Sequence, residues 1–426
     1  MLGLTLAHRL AQRGRSVSLF EASGEWGGQA APWDLGGVVW DRHYHVILLS
    51  DRHLRRLLAE LGLDREIEWV ESRTGFYTGG TFHSMSNVVE FLQFPPLRLV
   101  DRLRLGATVF CASRIRNWQK LEGIPVSQWL QKWSGSRAYH KIWLPLLRTK
   151  LGEAYQRTSA AFIWATTARM YAARRAGQKK EMFGYVPGGY RRILERFTEK
   201  LESEGVRLEL EHEARRVQPT AEGQLAIEFA NGRRELFDRL ILTIPSPEAA
   251  TLCPALPVPE KEGLNGIEYQ GIVCASLLLR KPLSGFYVTN ITDSWVPFTA
   301  VIEMSTLVDR KYFGGNALVY LPKYVPGDDP LFSRSDEELK DEFLAALRKM
   351  HSALQPDDLV CFRVSRVRRV FPVSTLDYSQ RLPPMKTSIP GLSIVNSSHI
   401  VGANHNVNET VRLADQYAES VRASGW

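Results

Sequence analysis

Two histidines flank a tyrosine in DRHYH, and in an extended stretch the spacing of His43 and His45 turns both imidazoles to one side. Rings so placed either exchange protons with a bound molecule or pack beneath it as polar groups. The four cysteines (Cys111, Cys253, Cys274, Cys361) form no C-x-x-C pair and no Cys/His spacing suited to a metal, so no metal is expected. The glycines carry a second chemistry. Dinucleotide sites put G-x-G-x-x-G between a strand and a helix because the backbone must touch a pyrophosphate at the helix N-terminus. An acid about twenty residues further on, ending the next strand, receives a ribose. In MLGLTLAHRLAQRGRSVSLFEASGEWGGQA, Gly3 stands as the third glycine of that pattern and Glu21 as its acid, while the first strand and first two glycines are absent.

The elements that must position these residues are readable in outline. LTLAHRLAQRG has the three- and four-residue apolar spacing of a helix, SVSLFEA reads as a strand, and Gly24, Gly27 and Gly28 form a turn. Residues 51–182 are mostly helical in pattern. After Gly188 and Gly189 comes the charged amphipathic helix YRRILERFTEKLESEG, then the strands VRLELEHE, RRVQP, LAIEFANG, RRELFD and LILTIP. Aromatic and β-branched runs (GIVCASLLLR, FTAVIEM, ALVYLP) precede the helix DEELKDEFLAALRKMHSAL, for which Ser335 is the expected N-cap. GLSIVNSS and NETVRLADQYAESVRA close the chain as strand and helix. Strand–helix units at both ends, around a helical block and a sheet block, imply a discontinuous first domain.

At 426 residues, 44% hydrophobic and 23% charged, the chain belongs to the soluble globular class. It shows neither a signal peptide nor an apolar run of about 18 residues, so the cytoplasm is the expected location. The net charge of +8 suits a phosphate-rich ligand or an anionic surface. Nucleic acid is not expected, since no basic stripe with interleaved aromatics occurs. Residues 92–118 alternate apolar positions with Arg98, Arg102, Arg104, Arg114 and Arg116 behind two prolines. That segment either makes weak peripheral contact with the inner face of an anionic membrane or packs on its own domain with its arginines solvated.

Glu21 with the pair Gly27 and Gly28 resembles an FAD site more than an NAD site, and the resemblance extends along the chain to the amine oxidase and protoporphyrinogen oxidase superfamily. DLGG, with Gly36 and Gly37, followed by DRHYH resembles its flavin-facing turn. FGYVPGGYRRILERFTEKLESEGVRLELEHEARRVQ resembles its loop, helix and strand, in which Val217 would meet the adenine end of FAD. FDRLILTIPSPEAATL matches the strand that returns to the FAD domain. IPGLSIVNSSHIVGANHNVNETVRLADQYA stands where the family brings a turn against flavin and pyrophosphate, which implies cofactor roles for Ser397, Ser398 and Asn408. Two departures are local: Gln29 replaces an arginine common after the paired glycine, and Ser397 and Ser398 replace a glycine and an acid.

The resemblance implies an α/β chain with a doubly wound, glutathione-reductase-type FAD domain and an α+β substrate domain. The FAD domain would comprise 1–70, 183–262 and 386–426, and the substrate domain 71–182 and 263–385. It implies hydride transfer from an organic small molecule (amine, porphyrinogen, polyene or similar) to flavin N5, with His43, His45 and Lys150 as catalytic candidates. Lys150 is also readable as a solvated or capping lysine. Trp295, Phe298, Tyr320 and Tyr324 either line a substrate cavity or form core. A redox-neutral mutase of the UDP-galactopyranose type, with Arg148, Arg366 and Arg368 as candidate ligands, and a non-catalytic remnant of the fold are the alternatives. On the family pattern Met1 and Leu2 occupy the variable positions before the third glycine, a start about ten or more residues upstream is expected, and the chain from Met1 is expected to bind FAD poorly.

Overall fold

The computed structural model describes residues 1–173 and 181–423. Its first helix, Leu2–Ala11, buries Leu2, Leu4, Leu6 and Ala7, and the chain then turns into the strand Ser18–Phe20. This strand pairs in parallel with Arg207–Glu209, Leu19 opposite Leu208. Between the two lies the helix Gly189–Ser203, whose Ile193, Leu194, Phe197 and Leu201 recur at three- and four-residue spacing and are all buried. Three antiparallel strands follow (Ala214–Pro219, Leu225–Phe229, Arg234–Phe237), and then Leu240–Leu242, which pairs in parallel with Leu392–Ile394 from the far end of the chain. The closing helix Val407–Ala423 packs Leu413, Ala414, Tyr417 and Val421 in one cluster with Leu2 and Leu6 of the first helix. Both ends of the sequence thus meet in one parallel α/β layer.

That layer contains a gap. The pair Ser18–Phe20/Arg207–Glu209 and the pair Leu240–Leu242/Leu392–Ile394 belong to separate two-stranded sheets. A cavity of about 1030 Å³ lies between them, lined by both strand edges, by Gly3, Leu6, Ala7 and Leu10 of the first helix, and by Ile227, Leu236 and Phe237.

The second layer is a seven-stranded sheet with the order Leu359–Pro372, Tyr269–Leu279, Ala317–Pro326, Ala300–Glu303, Val288–Ile291, Thr74–Thr78, Thr81–Ser84. Helix Asp336–Met350 covers one face, packing Leu339, Phe343 and Leu347 with Val273, Leu277 and Val319. Ser335 caps it as expected: its hydroxyl accepts from Glu338 N–H, and the Glu338 carboxylate accepts from Ser335 N–H in return. The other face carries Ile272, Cys274, Tyr320 and Tyr324 toward the helices of residues 126–163.

The region 51–182 is mostly helical, as its pattern implies, and within it TGFYTGGTFHS folds as a hairpin of Thr74–Thr78 with Thr81–Ser84 around Gly79 and Gly80, both with positive φ, +60° and +74°. The alternating aromatics and the paired glycine are strand signals that the helical neighbours obscured. The fourteen-residue strand Leu359–Pro372 is hidden in sequence by its arginines, which reach the rim of the sheet while Val364 and Phe371 are buried. Among the described residues no helix is long and apolar enough to cross a membrane.

Candidate functional site

A cavity of about 510 Å³ opens where the parallel layer meets the seven-stranded sheet. At one end stand the first turns of two helices, through Met1 and Leu2 and through Val407 and Asn408. Each helix N-terminus presents unpaired N–H groups and about half a positive charge, so this end is built for an anion such as a pyrophosphate. Gly27 adds bare backbone to the wall at φ +112°, where a Cβ would come 2.6 Å from Leu194 Cδ1. The other end is aromatic, with Tyr44, Tyr287, Tyr324 and Phe371 beside Ile272.

Lys150 lies at the aromatic end. Its ammonium nitrogen is 3.3 Å from the Tyr324 ring centre and 5.0 Å from that of Phe371, a position that helix Leu144–Leu151 secures by burying Leu147 and Leu151. Desolvation pushes its pKa from 10.5 down to about 7, so the free amine and the ammonium are both populated near neutrality. The Tyr324 hydroxyl shares a 2.7 Å hydrogen bond with the Tyr44 hydroxyl. The His405 ring stacks on Phe371 at 6.0 Å and 21°, with its Nδ1 buried and unpaired by protein. Burial, then the nearby Lys150, lowers the His405 pKa to about 4.

The two histidines of DRHYH reach the same cavity by different routes. His43 Nδ1 lies 3.1 Å from the Gln29 carbonyl, which can only accept, so Nδ1 carries the proton and Nε2 accepts from the Ser365 hydroxyl at 3.1 Å. His45 Nδ1 donates in the same way to the His43 carbonyl at 2.9 Å, and its ring packs 4.9 Å from Tyr190. Burial is the first cause that lowers both pKa values to about 4, so both rings are neutral at pH 7. His43 spends both nitrogens on structure, whereas His45 keeps Nε2 as an acceptor.

Asp51 is the one carboxylate among the described residues lining the cavity, and Arg169 engages it at 3.2 Å while Leu48 N–H donates to it at 2.9 Å. Arg369, also at the wall, is bound to Glu248. Beneath the site Asp41 accepts from Tyr190 N–H at 2.7 Å, and burial raises its carboxyl pKa to about 7.

Of the residues singled out in sequence, Gly27, Gln29, His43, His45, Lys150, Ser397 and Asn408 line this cavity. Asn408 also has a structural task there, since its Oδ1 accepts from His53 N–H and Leu54 N–H and so caps helix Arg52–Glu60. Gly28 begins the short turn Gly28–Ala30 beside it. Gly3 and Glu21 line the neighbouring slot, which shares Thr243 and Pro245 with the cavity, and Glu21 Oε1 accepts from Ser23 N–H at 2.9 Å.

Four positions stand apart. Gly36 and Gly37 form the turn between the strands Pro32–Asp34 and Val39–Asp41, where Asp34 accepts from Gly37 N–H, outside the cavity lining. Val217 is buried in the antiparallel strands. Ser398 is buried too, held by Asn396 Oδ1 at 2.7 Å through its hydroxyl. Of the four aromatics only Tyr324 lines the cavity. Phe298 packs on Phe343, Tyr320 is fully buried and donates to the Asp41 carbonyl, and Trp295 lies at the surface under Lys349. The candidate arginines are likewise elsewhere: Arg148 faces Glu153, Arg366 pairs with Asp336, and Arg368 donates to the Gly327 carbonyl. His405, Arg169 and Arg369 had no local signal. They become visible only when distant segments fold together.

The cavity's anion-binding and aromatic ends fit the two halves of a flavin dinucleotide, and the comparisons with known proteins agree. The family model of flavin containing amine oxidoreductases matches residues 2–412. No curated protein matches the chain. A putative protoporphyrinogen oxidase from Exiguobacterium sp. 255-15 superposes with TM-score 0.77 at 19% identity, over 99% of this chain and 97% of that one. A putrescine oxidase bound to putrescine gives 0.72 at 16% identity, over 99% and 96%, and a reduced UDP-galactopyranose mutase 0.75 at 15%, over 99% and 91%. The chain belongs to the flavin-containing amine oxidoreductase family and is an FAD-dependent oxidoreductase.

Proposed function

We propose that the protein oxidises a flat organic molecule, neutral or anionic, held at the Lys150 end of the cavity. Bound FAD supplies a hydride acceptor there. Gly27, Gln29, Ser397 and the two helix N-termini would hold the pyrophosphate side, and Tyr44, Tyr324, Phe371 and Lys150 the ring side. The FAD layer would be drawn from 1–70, 183–262 and 386–426, and the substrate layer from 71–182 and 263–385.

The observation that carries this reading is the buried amine of Lys150 over the Tyr324 face at a pKa of about 7. As a free amine Lys150 accepts a proton from a substrate N–H, O–H or acidic C–H as the hydride leaves. As an ammonium it steadies an anionic product. The surrounding rings exclude water and stack on a planar substrate. An alkylammonium has no free carboxylate to meet, because Asp51 is committed to Arg169. The mutase alternative wants arginines for a sugar diphosphate, and both arginines at the wall are already paired with acids, which favours the oxidative reading.

Anaerobic mixing of the flavin-loaded protein with a porphyrinogen, a flat enol or phenol, and putrescine, followed at the flavin absorbance near 450 nm, tests it. Bleaching by a planar neutral or anionic compound and none by putrescine is expected. Bleaching by putrescine alone, or ring contraction of UDP-galactose by the reduced protein, overturns it.

A further inference from the structure

A third opening, of about 680 Å³, shares no lining residue with the cofactor cavity or with the neighbouring slot. Ser365 lines it, and the His43 ring to which Ser365 donates lines the cofactor cavity, so the two spaces are neighbours across that hydrogen bond. Trp33, from the strand Pro32–Asp34, and Val364 and Ser365, from the edge strand Leu359–Pro372, are each more than nine-tenths buried at its wall. The opening therefore rests on two strands and not on loops alone.

Positive charge gathers there with little to offset it. The Arg363 guanidinium carbon lies 4.7 Å from the Trp33 ring centre and that of Arg42 5.9 Å, two cations on one indole. Arg363 donates to the Asp34 main-chain carbonyl at 2.6 Å and, among the described residues, has no carboxylate within 4 Å. The Asp34 carboxylate is taken up by Gly37 N–H. Glu25 stays 3.8 Å from Arg42, beyond hydrogen-bond distance, and its side chain is more than half exposed, so it offsets little. Arg366, the remaining cation, is spent on Asp336 and on the Arg334 carbonyl.

Two donors complete the picture. Trp33 Nε1 and Arg42 Nε are both buried and find no partner in the protein. A buried N–H without an acceptor costs free energy, and two of them on residues of one opening point to a missing acceptor. Water could pair with either group, but it brings no charge to offset two guanidiniums. An oxyanion does both, and arginine suits one with several oxygens because its N–H groups form a fork.

We propose that this opening binds a phosphate group, held between the Arg42 and Arg363 guanidiniums with the Trp33 indole N–H as a further donor, at a site separate from the cofactor cavity. Binding is read without flavin chemistry, so a failure here leaves the reading of the cofactor cavity untouched.

Equilibrium dialysis of radiolabelled inorganic phosphate against the full chain, with and without FAD and at fixed ionic strength, tests it. Saturable binding in both forms is expected. It should weaken roughly tenfold or more in Arg363→Gln, an exposed position whose loss leaves the fold intact, and in Trp33→Phe, which keeps a ring beneath the guanidiniums and deletes the N–H. Arg368→Gln, which removes an equal charge from the same strand outside the opening, should bind as the parent does. Competition by phenyl phosphate at least as strong as by phosphate identifies the occupant as a phosphate ester, and weaker competition identifies the free ion. Stronger competition by succinate than by phosphate, equal weakening in Arg368→Gln, loss of the site on FAD loading, or no saturable binding by the folded parent overturns the proposal.

Discussion

Among single residues Lys150 carries the sharpest expectation. A flavin reduction rate that needs the free amine rises with pH through about 7 and then levels, since burial has brought the pKa there from 10.5. Lys150→Met retains the cavity's apolar volume and removes the base. Stopped-flow reduction should slow by roughly 10²-fold or more at pH 8, the range of a lost general base, and the pH dependence near 7 should flatten. A variant with an unchanged profile places the base elsewhere. His43 makes a separate prediction about stability. Its folded pKa of about 4 lies below the unfolded 6.5, so between those values the unfolded chain binds a proton that the folded chain does not, and stability falls as pH falls. Asp41 opposes this over nearly the same window, because its pKa is raised to about 7 and the folded state holds the extra proton. His45 adds to His43, so the two histidines outweigh Asp41. His43→Gln should remove about 1.4 kcal/mol per pH unit of slope below pH 6.5, read from urea midpoints between pH 4.5 and 6.5.

These residues also show how far sequence reaches. Lys150, His43 and His45 were legible because the segments around them are distinctive, and all three line one cavity. His405 was not, because its meaning comes from Phe371, thirty-four residues away along the chain, and from Lys150 on another helix. Tyr320 misleads in the opposite sense. It lies on the same strand as Tyr324, but its hydroxyl is spent on the Asp41 carbonyl and the cavity never reaches it.

At the scale of elements, helix Leu99–Arg114 is turned inside out. It buries Leu105, Thr108 and Ala112, while Leu99, Val100, Leu103 and Phe110 are 58%, 73%, 57% and 44% exposed. Val88 and Val89 of the preceding short helix are exposed as well. Of the nearby arginines, Arg102 and Arg104 bind backbone carbonyls, whereas Arg98 and Arg116 are exposed. Leucine and valine in water beside free guanidinium groups suit the headgroup region of an anionic bilayer. Sedimentation with vesicles containing phosphatidylserine at low salt should bring down the protein, and Val100→Glu with Leu103→Glu should abolish that without changing Tm by more than a degree or two. Equal retention by the double variant, or none by the parent, rejects the surface as a lipid contact. Sequence alone could not choose between this and internal packing, because the periodicity of an apolar stripe does not say which way the stripe points.

For the whole molecule, the cofactor cavity and the slot in the parallel layer share one element. The start of helix Leu2–Ala11 lines the cavity, and the same helix lines the slot through Leu6, Ala7 and Leu10. The helix is held by Leu2 and Leu6 against the closing helix and by Leu4 and Ala7 against Leu54, Leu57 and Phe197. Ion pairs add to this, since buried His8 meets Glu60 and Glu204 and Arg9 meets Glu60 and Asp415. A helix N-terminus serves an anion only while the helix is fixed in place, so loosening its packing should weaken cofactor binding. Leu6→Ala, which opens a cavity against the closing helix without touching the cofactor cavity, should lower the FAD retained through gel filtration relative to the parent chain, judged by the ratio of absorbance at 450 to 280 nm. Equal retention by a folded variant would show that Gly27, Ser397 and the start of Val407–Ala423 hold the cofactor without help from the first helix.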